Sequence, residues 1–180
     1  MNRHQVQGVL LRGLEIRSMY PKSELGYTFS LEFLVSPKDM GKVYNIMNSM
    51  DYEQQVNRTN HGRLYFRVPG VRVIFYDEIP LGNEILYKHL THAAQKYFHG
   101  NRKAGIKTWN LSIQFLYQFG RWVDAYMMGE LKMRDVMVYY YYIQNPAIIS
   151  EKRFIEESLE KAGLTEFAKQ LNILASLWFG

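Results

Sequence analysis

The stretch Gly26-Tyr-Thr-Phe-Ser-Leu-Glu-Phe-Leu-Val-Ser-Pro37 decides how the rest of the chain is read. Phe29, Leu31, Phe33 and Val35 alternate with Ser30, Glu32 and Leu34, and Ser36-Pro37 ends the run. A period of two is that of a strand, so Phe29, Leu31 and Phe33 share one face while Ser30 and Glu32 share the other. A short polar residue and a carboxylate two positions apart have the layout of a two-carboxylate metal platform. One of the two carboxylates is missing.

Outward from this strand, Pro37-Lys-Asp opens a helix running to about Met50, with Met40, Val43, Tyr44 and Met47 at i, i+3, i+4 and i+7. Asp51–Val56 reads as a short strand. Arg63–Val68 and Val71–Tyr76 flank Pro69-Gly70, which is a hairpin signal. On the other side, Gly8–Gly13 is a compact apolar segment. Leu14, Arg17 and Ser18 fit a helical turn that ends at Tyr20-Pro21, because proline disfavours a helical conformation at the residue before it. Residues 1–80 therefore read as an α/β unit with a small mixed sheet.

Residues 81–180 change character. Helical periodicity runs through Asn83–Phe98, Ala104–Gln118, Arg121–Met128, Arg134–Tyr142 and Ser150–Gly180. Asn145-Pro146 marks a break and Gly163 a helix C-cap. Phe167, Leu171, Leu174 and Trp178 form an apolar stripe. The run Tyr139–Tyr142 places its rings in four directions if helical, which suits packing better than a base-stacking platform. The expected fold class is α+β: a small mixed sheet with flanking helices, followed by a C-terminal helical subdomain.

Composition sets outer limits. The 180 residues contain no cysteine, which excludes disulfides, thiolate zinc sites and thiol nucleophiles. No apolar run approaches the ~18 residues of a membrane span, and Met1–Gly8 lacks a signal-peptide core, so no membrane partner and a cytoplasmic location are expected. A net charge of +5 is compatible with a solvated basic surface, or with a nucleotide or nucleic-acid partner; no nucleic-acid motif of fixed spacing accompanies it.

Three stretches together resemble a known family. They are Val9-Leu-Leu-Arg-Gly-Leu14 with Met19-Tyr-Pro-Lys-Ser-Glu-Leu25, then Phe29–Val35, then Pro69-Gly-Val-Arg-Val-Ile-Phe-Tyr76. They are similar to the apolar run with Lys-Gly and Tyr-Pro, the Gly-Asp-Ile-Asp-Ile-Leu-Val strand and the Gly-Val-Arg-Val-Glu-Leu-His strand of a bacterial family of uncharacterised nucleotidyltransferases. That family is a branch of the DNA polymerase β-like superfamily. His92–Gly100 and Leu164–Lys169 extend the resemblance into the helical half. It implies a nucleotidyltransferase-like α/β core over 1–80 and a helical subdomain over 81–180.

The resemblance also implies a chemistry in which three carboxylates hold two Mg²⁺ or Mn²⁺ ions against a nucleoside triphosphate. Carried over residue by residue, the first carboxylate falls at Ser30, the second at Glu32 and the third at Ile74. The glycine before the first falls at Phe29, an upstream arginine at Gly26, and the Lys-Gly pair at Arg12-Gly13. Glu32 and Ser30 are thus the candidate catalytic residues and Glu32 the candidate metal ligand. Arg12, Gly13 and Lys107 are the candidate nucleotide-binding residues, with Arg102 beside Lys107.

Asp77 has the wrong strand parity to stand in for Ile74. Glu78 lies about 13 Å along an extended strand, beyond the roughly 2–2.6 Å reach of a ligand oxygen. Glu15 is a helical turn past the glycine. His89, His92 and His99 share a helix, with no acidic or cysteine partner in their spacing. The reading that follows is a catalytically impaired nucleotidyltransferase acting as a binding or regulatory protein. An active metal-dependent nucleotidyltransferase modifying a protein, RNA or small molecule is the alternative, and a basic nucleic-acid-binding module a second. The family's helical region ahead of the Lys-Gly motif has no counterpart here, and with the many aromatics this suits a homodimer or another protein partner.

Overall fold

A computed structural model describes residues 6–13, 15–20, 22, 30–56, 62–100 and 105–180. The fold is mixed α/β, a six-stranded mixed sheet with its helices concentrated in the C-terminal part. The strands are β1 (Gln7–Arg12), β2 (Ser30–Val35), β3 (Glu53–Gln55), β4 (Arg63–Phe66), β5 (Arg72–Tyr76) and β6 (Gly105–Thr108), in the spatial order β3-β4-β5-β2-β1-β6. β2 runs parallel to β5 and antiparallel to β1, β1 runs parallel to β6, and β3-β4-β5 is an antiparallel meander.

The sheet is covered on both faces. On one side lies α2 (Met40–Ser49), entered through a single 3₁₀ turn at Pro37–Asp39. Its Met40, Val43, Ile46 and Met47 pack on Val35, Tyr65, Val73 and Phe75, with Leu31 and Phe33 beside them. Asp39 precedes the helix, receives Lys42 Nζ at 2.7 Å and accepts from the Gln7 backbone N–H at 3.5 Å, so it ties the start of the helix to β1.

The opposite face carries the larger core. Val9, Leu11, Leu34 and Tyr76 meet α3 (Glu84–Gly100), α4 (Leu111–Met127) and α5 (Met133–Gln144). Behind them lie the short α6 (Pro146–Ser150), then α7 (Lys152–Lys161) and α8 (Thr165–Phe179). At the front end, α1 (Glu15–Met19) follows β1 after Gly13. Leu86, Leu90 and Ala94 line the inner face of α3 at a spacing of four, and Phe115, Phe119, Trp122, Tyr139 and Tyr142 form an aromatic centre between α4 and α5. Alternation in β2 therefore has a double meaning: Leu31, Phe33 and Val35 serve the α2 side, and Glu32 and Leu34 point into the helical side.

The local signals at the helix ends act as their chemistry dictates. The Asn110 side chain accepts from the Ile113 N–H at 3.0 Å and starts α4, and Asn145 accepts from the Ala147 N–H at 3.0 Å and starts α6 with Pro146 in its first turn. Gly163 has φ +70°, the left-handed geometry that ends α7.

Three sequence readings are corrected. The apolar segment at Gly8–Gly13 is a strand, β1, lying inside the sheet. The continuous helical reading of 104–118 gives way to β6 followed by α4. Trp178, expected in the apolar stripe of the last helix, is 46% exposed, whereas Leu171 and Ala175 are buried. Phe167, Leu171 and Leu174 do pack on the core, and at the end of α8 Phe179 takes the inner place instead of Trp178. Because β6 comes from beyond residue 81, the second half of the chain contributes to the sheet itself as well as covering it. Phe29, Gly26 and Arg102 lie outside the described residues.

Candidate functional site

The site begins with an irregularity in β1. The pairing runs Leu10↔Phe33 and then Arg12↔Glu32, so one extra residue, Leu11, is inserted opposite β2. Strict alternation would put Leu11 and Arg12 on opposite faces. The bulge re-aims the strand. Leu11 enters the helical-side core, and Arg12 also comes to Glu32, whose carboxylate points to that side. Arg12 Nη1 stands 3.5 Å from Glu32 Oε1. Glu32 is 3% exposed, and its other oxygen, Oε2, accepts from the Tyr117 hydroxyl of α4 at 2.9 Å.

Burial raises the Tyr117 pKa well above the ordinary tyrosine value, and the Glu32 charge raises it further. Arg121, one turn on in α4, lies in the same field. Burial opposes its charge, but Tyr117, Glu32, Tyr76 and Asp124 outweigh burial and hold its pKa above the usual arginine value. A carboxylate removed from water is thus compensated by one guanidinium in contact, one phenol hydrogen bond and a second guanidinium nearby, which is the pairing a buried charge requires.

Gly13 follows the bulge with φ +143°. A Cβ here would lie 2.5 Å from Leu31 Cδ2 and 3.2 Å from the Ser30 carbonyl oxygen, so the position needs both the left-handed conformation and the missing side chain. Gly13→Ala is expected to cost about 2 kcal/mol. At roughly 2–4 °C per kcal/mol, thermal unfolding should show a fall of about 4–8 °C. An unchanged melting temperature would contradict the close packing of this turn on β2.

Ser30, Arg12 and Gly13 line one cleft of about 430 Å³ between the end of β2 and the helices α4 and α5, and Glu32 lies buried beside it. Ile74 stands directly across from Glu32 in the parallel register of β2 and β5. The carboxylate positions carried over by resemblance are therefore spatial neighbours, and they bear a hydroxyl, a paired carboxylate and an aliphatic chain. This set does not fit two divalent cations. Among the described residues no three histidine, cysteine or acidic side chains are grouped to hold a metal. Lys107 is not brought to the cleft. It is exposed on β6, at the edge of the sheet beside Val9.

Asp77 and Glu78 fall beyond the end of β5 and line a separate hollow with Asp39 and Lys42. His89 lies against the Phe154 ring at 5.9 Å, His92 is exposed, and the side chains of His99 and Glu15 are outside the described residues.

Sequence reasoning missed the helical wall of the cleft. Gln118, Arg121, Trp122, Lys132 and Arg134 all line it. A signal was present: Gln114, Tyr117, Gln118 and Arg121 follow i, i+3, i+4 and i+7 within an otherwise apolar helix. Such a stripe of hydrogen-bonding residues on a buried helix face needs polar company across it.

No family model matches the chain, and neither a curated protein nor a solved structure does. Among the described residues, no helix is long and apolar enough to cross a membrane.

The buried phenols set an alkaline limit on stability. Tyr117, Tyr139 and Tyr65 have pKa values raised chiefly by burial. Each remains protonated in the folded chain at pH values where the unfolded chain, with pKa about 10, has released its proton. Their contribution is complete below pH ~10 and is lost as pH rises through the folded values. Each such group steepens the fall by up to about 1.4 kcal/mol per pH unit. Urea titrations between pH 8 and 11 should show this decline, and Tyr117→Phe should make it shallower; an identical slope would remove Tyr117 from the account.

Proposed function

We propose that this chain is a nucleotidyltransferase-fold protein that has given up two-metal catalysis and acts through its cleft as a binding or regulatory protein. The observation that carries the reading is the state of Glu32. It is the one carboxylate among the three carried-over positions, and both of its oxygens are engaged, by Arg12 and by Tyr117.

Two-metal phosphoryl chemistry needs ligand oxygens that face the cations and supply enough negative charge to hold them. Here the Arg12 guanidinium, 3.5 Å away, stands beside the carboxylate and offsets its charge. Across from it, Ile74 contributes only a hydrocarbon surface, and Ser30 contributes a neutral hydroxyl. The fold assignment itself rests on the resemblance of the three motif stretches. The mixed sheet is compatible with it, through the parallel neighbours β2 and β5 that set Ser30, Glu32 and Ile74 side by side.

The test is direct. Purified protein is incubated with Mg²⁺ or Mn²⁺ and each of four α-labelled nucleoside triphosphates, alone and with RNA or a cell extract. The expected result is no metal-dependent label transfer. Transfer that requires Mn²⁺ and is abolished by Glu32→Gln, a variant that retains an acceptor for the Tyr117 hydroxyl, would overturn the proposal.

A further inference from the structure

The parallel neighbours β2 and β5 end side by side, and the chain leaves them toward opposite faces of the sheet. After Val35 it enters α2, which packs on one face; after Tyr76 it goes on to α3, which packs on the other. Backbones that part in this way open a crevice beyond the carboxyl ends of the strands, the place where open α/β sheets hold their ligands. In this chain the crevice is a hollow of about 660 Å³, within the roughly 300–1,000 Å³ of small-molecule sites. Ser30 opens β2 and Val35 closes it, so this hollow and the Glu32 cleft lie at opposite ends of the strand.

Lys38, Asp39 and Lys42 line the hollow from the α2 side, Asp77 and Glu78 from the β5 side. Asp39 and Lys42 neutralise each other at 2.7 Å. Lys38, Asp77 and Glu78 are exposed, and among the described residues their side chains form no ion pair or hydrogen bond. An ammonium on one lip and two carboxylates on the other thus stand without protein partners. Between the lips the surface is hydrocarbon: Leu34, Val35, Ile79 and Ala94 are buried there, and the Phe98 ring is half-buried. Glu78 also borders a neighbouring hollow with Arg121 and Asp124, so Asp77 is the principal anionic group of this one.

We propose that this hollow binds a small zwitterion with an apolar body, a free amino acid or a short peptide. Its ammonium meets Asp77 and Glu78, its carboxylate meets Lys38, and its hydrocarbon part covers the floor at Leu34, Ile79 and Phe98. A cation is repelled by Lys38 and an anion by Asp77 and Glu78, whereas a dipolar ligand is attracted at both lips. An aliphatic side chain adds the gain of removing apolar surface from water. The inference goes beyond the reading of the Glu32 cleft and does not depend on it.

The experiment is isothermal titration calorimetry of the full chain at low salt, where exposed charge pairs are least screened. The probes are leucine, leucyl-leucine, isoamylamine, which is leucine without its carboxylate, and 4-methylpentanoate, which is leucine without its ammonium. The expected result is that leucine or leucyl-leucine binds about fivefold tighter than either single-charge analogue, the size of one exposed ion pair. Asp77→Asn should weaken the zwitterions and isoamylamine several-fold and leave 4-methylpentanoate no weaker. Lys38→Gln should weaken the zwitterions and 4-methylpentanoate and leave isoamylamine no weaker. Both positions are exposed, so neither variant endangers the fold.

The tighter of leucine and leucyl-leucine tells whether the free amino acid or the peptide is the occupant. Isoamylamine or 4-methylpentanoate binding as tightly as leucine overturns the zwitterion in favour of a site for one charge. No heat with any probe overturns the ligand class. Zwitterion binding that neither variant weakens overturns the location. None of these results bears on label transfer, so the reading of Glu32 is tested separately.

Discussion

Replacing Glu32 by alanine is expected to destabilise the protein by about 3 kcal/mol, although the residue makes no secondary-structure contact of its own beyond the ladder. Two losses add. The Tyr117 hydroxyl, on a fully buried side chain, loses its acceptor, which costs about 1–3 kcal/mol. Arg121, half withdrawn from water, loses the carboxylate that helps hold its charge. Arg12 is more exposed and turns to solvent at little cost.

The melting temperature should fall by about 6–12 °C, at roughly 2–4 °C per kcal/mol for a chain of this size. Tyr117→Phe removes one hydrogen-bonding partner and should cost less. The double variant Glu32→Ala with Tyr117→Phe should be less destabilised than the sum, by about 1 kcal/mol, because the phenol is no longer stranded. Urea midpoints at constant slope measure all three. A loss under about 1 kcal/mol for Glu32→Ala would mean that the carboxylate is solvated, and the view of it as an internal counter-charge would fall.

The second large effect belongs to Phe115. Its ring meets Phe119 at 5.8 Å, Trp122 at 6.2 Å, Tyr139 at 6.1 Å and Tyr142 at 5.4 Å between centroids, with tilted and edge-on geometries. These are the arrangements aromatic quadrupoles prefer. Four rings on two helices cannot all close on the space left by alanine, so a cavity persists. Phe115→Ala should therefore cost about 4 kcal/mol, and Phe115→Leu about half as much. Denaturant unfolding followed by tryptophan fluorescence reads both the loss and the loosening around Trp122. A cost for alanine below about 2 kcal/mol would show that the α4–α5 centre collapses freely.

Much of the N-terminal fold was legible because its signals are local. Alternation in Ser30–Val35, the proline-led start of α2 and the Pro69-Gly70 turn each depend on a few adjacent residues, and each element formed where its pattern lies. Asn145-Pro146 and Gly163 likewise act through their own backbone geometry. The strands β1 and β6 were not legible for the opposite reason. Gly105–Thr108 has only four residues, and its pairing partner is Gln7–Leu10, at the far end of the chain. Local pattern carries no record of such a pairing, and the helical run that follows at Leu111 pulled the reading backward over it.

At the site, the sequence positions Arg12, Gly13, Ser30, Glu32 and Ile74 lie near one another, and Lys107 lies apart from them. They did not predict what Glu32 would bind, because Tyr117 and Arg121 arrive from a helix whose orientation is set by aromatic packing. The polar stripe in α4 was visible, but its meaning depends on the face it meets.

The position of β6 at the rim of the sheet has a consequence for how the protein is made. A nascent chain emerging from the ribosome presents β1 with a bare hydrogen-bonding edge until residue 108 has been synthesised and released. Throughout that interval Val9, Leu11, Leu34 and Tyr76 also lack the cover that α4 and α5 supply. Unpaired edges and open apolar surfaces invite association with other chains. The moment of greatest hazard in the life of this molecule thus falls midway through translation, when the early strands are complete and their late partner is still inside the exit tunnel.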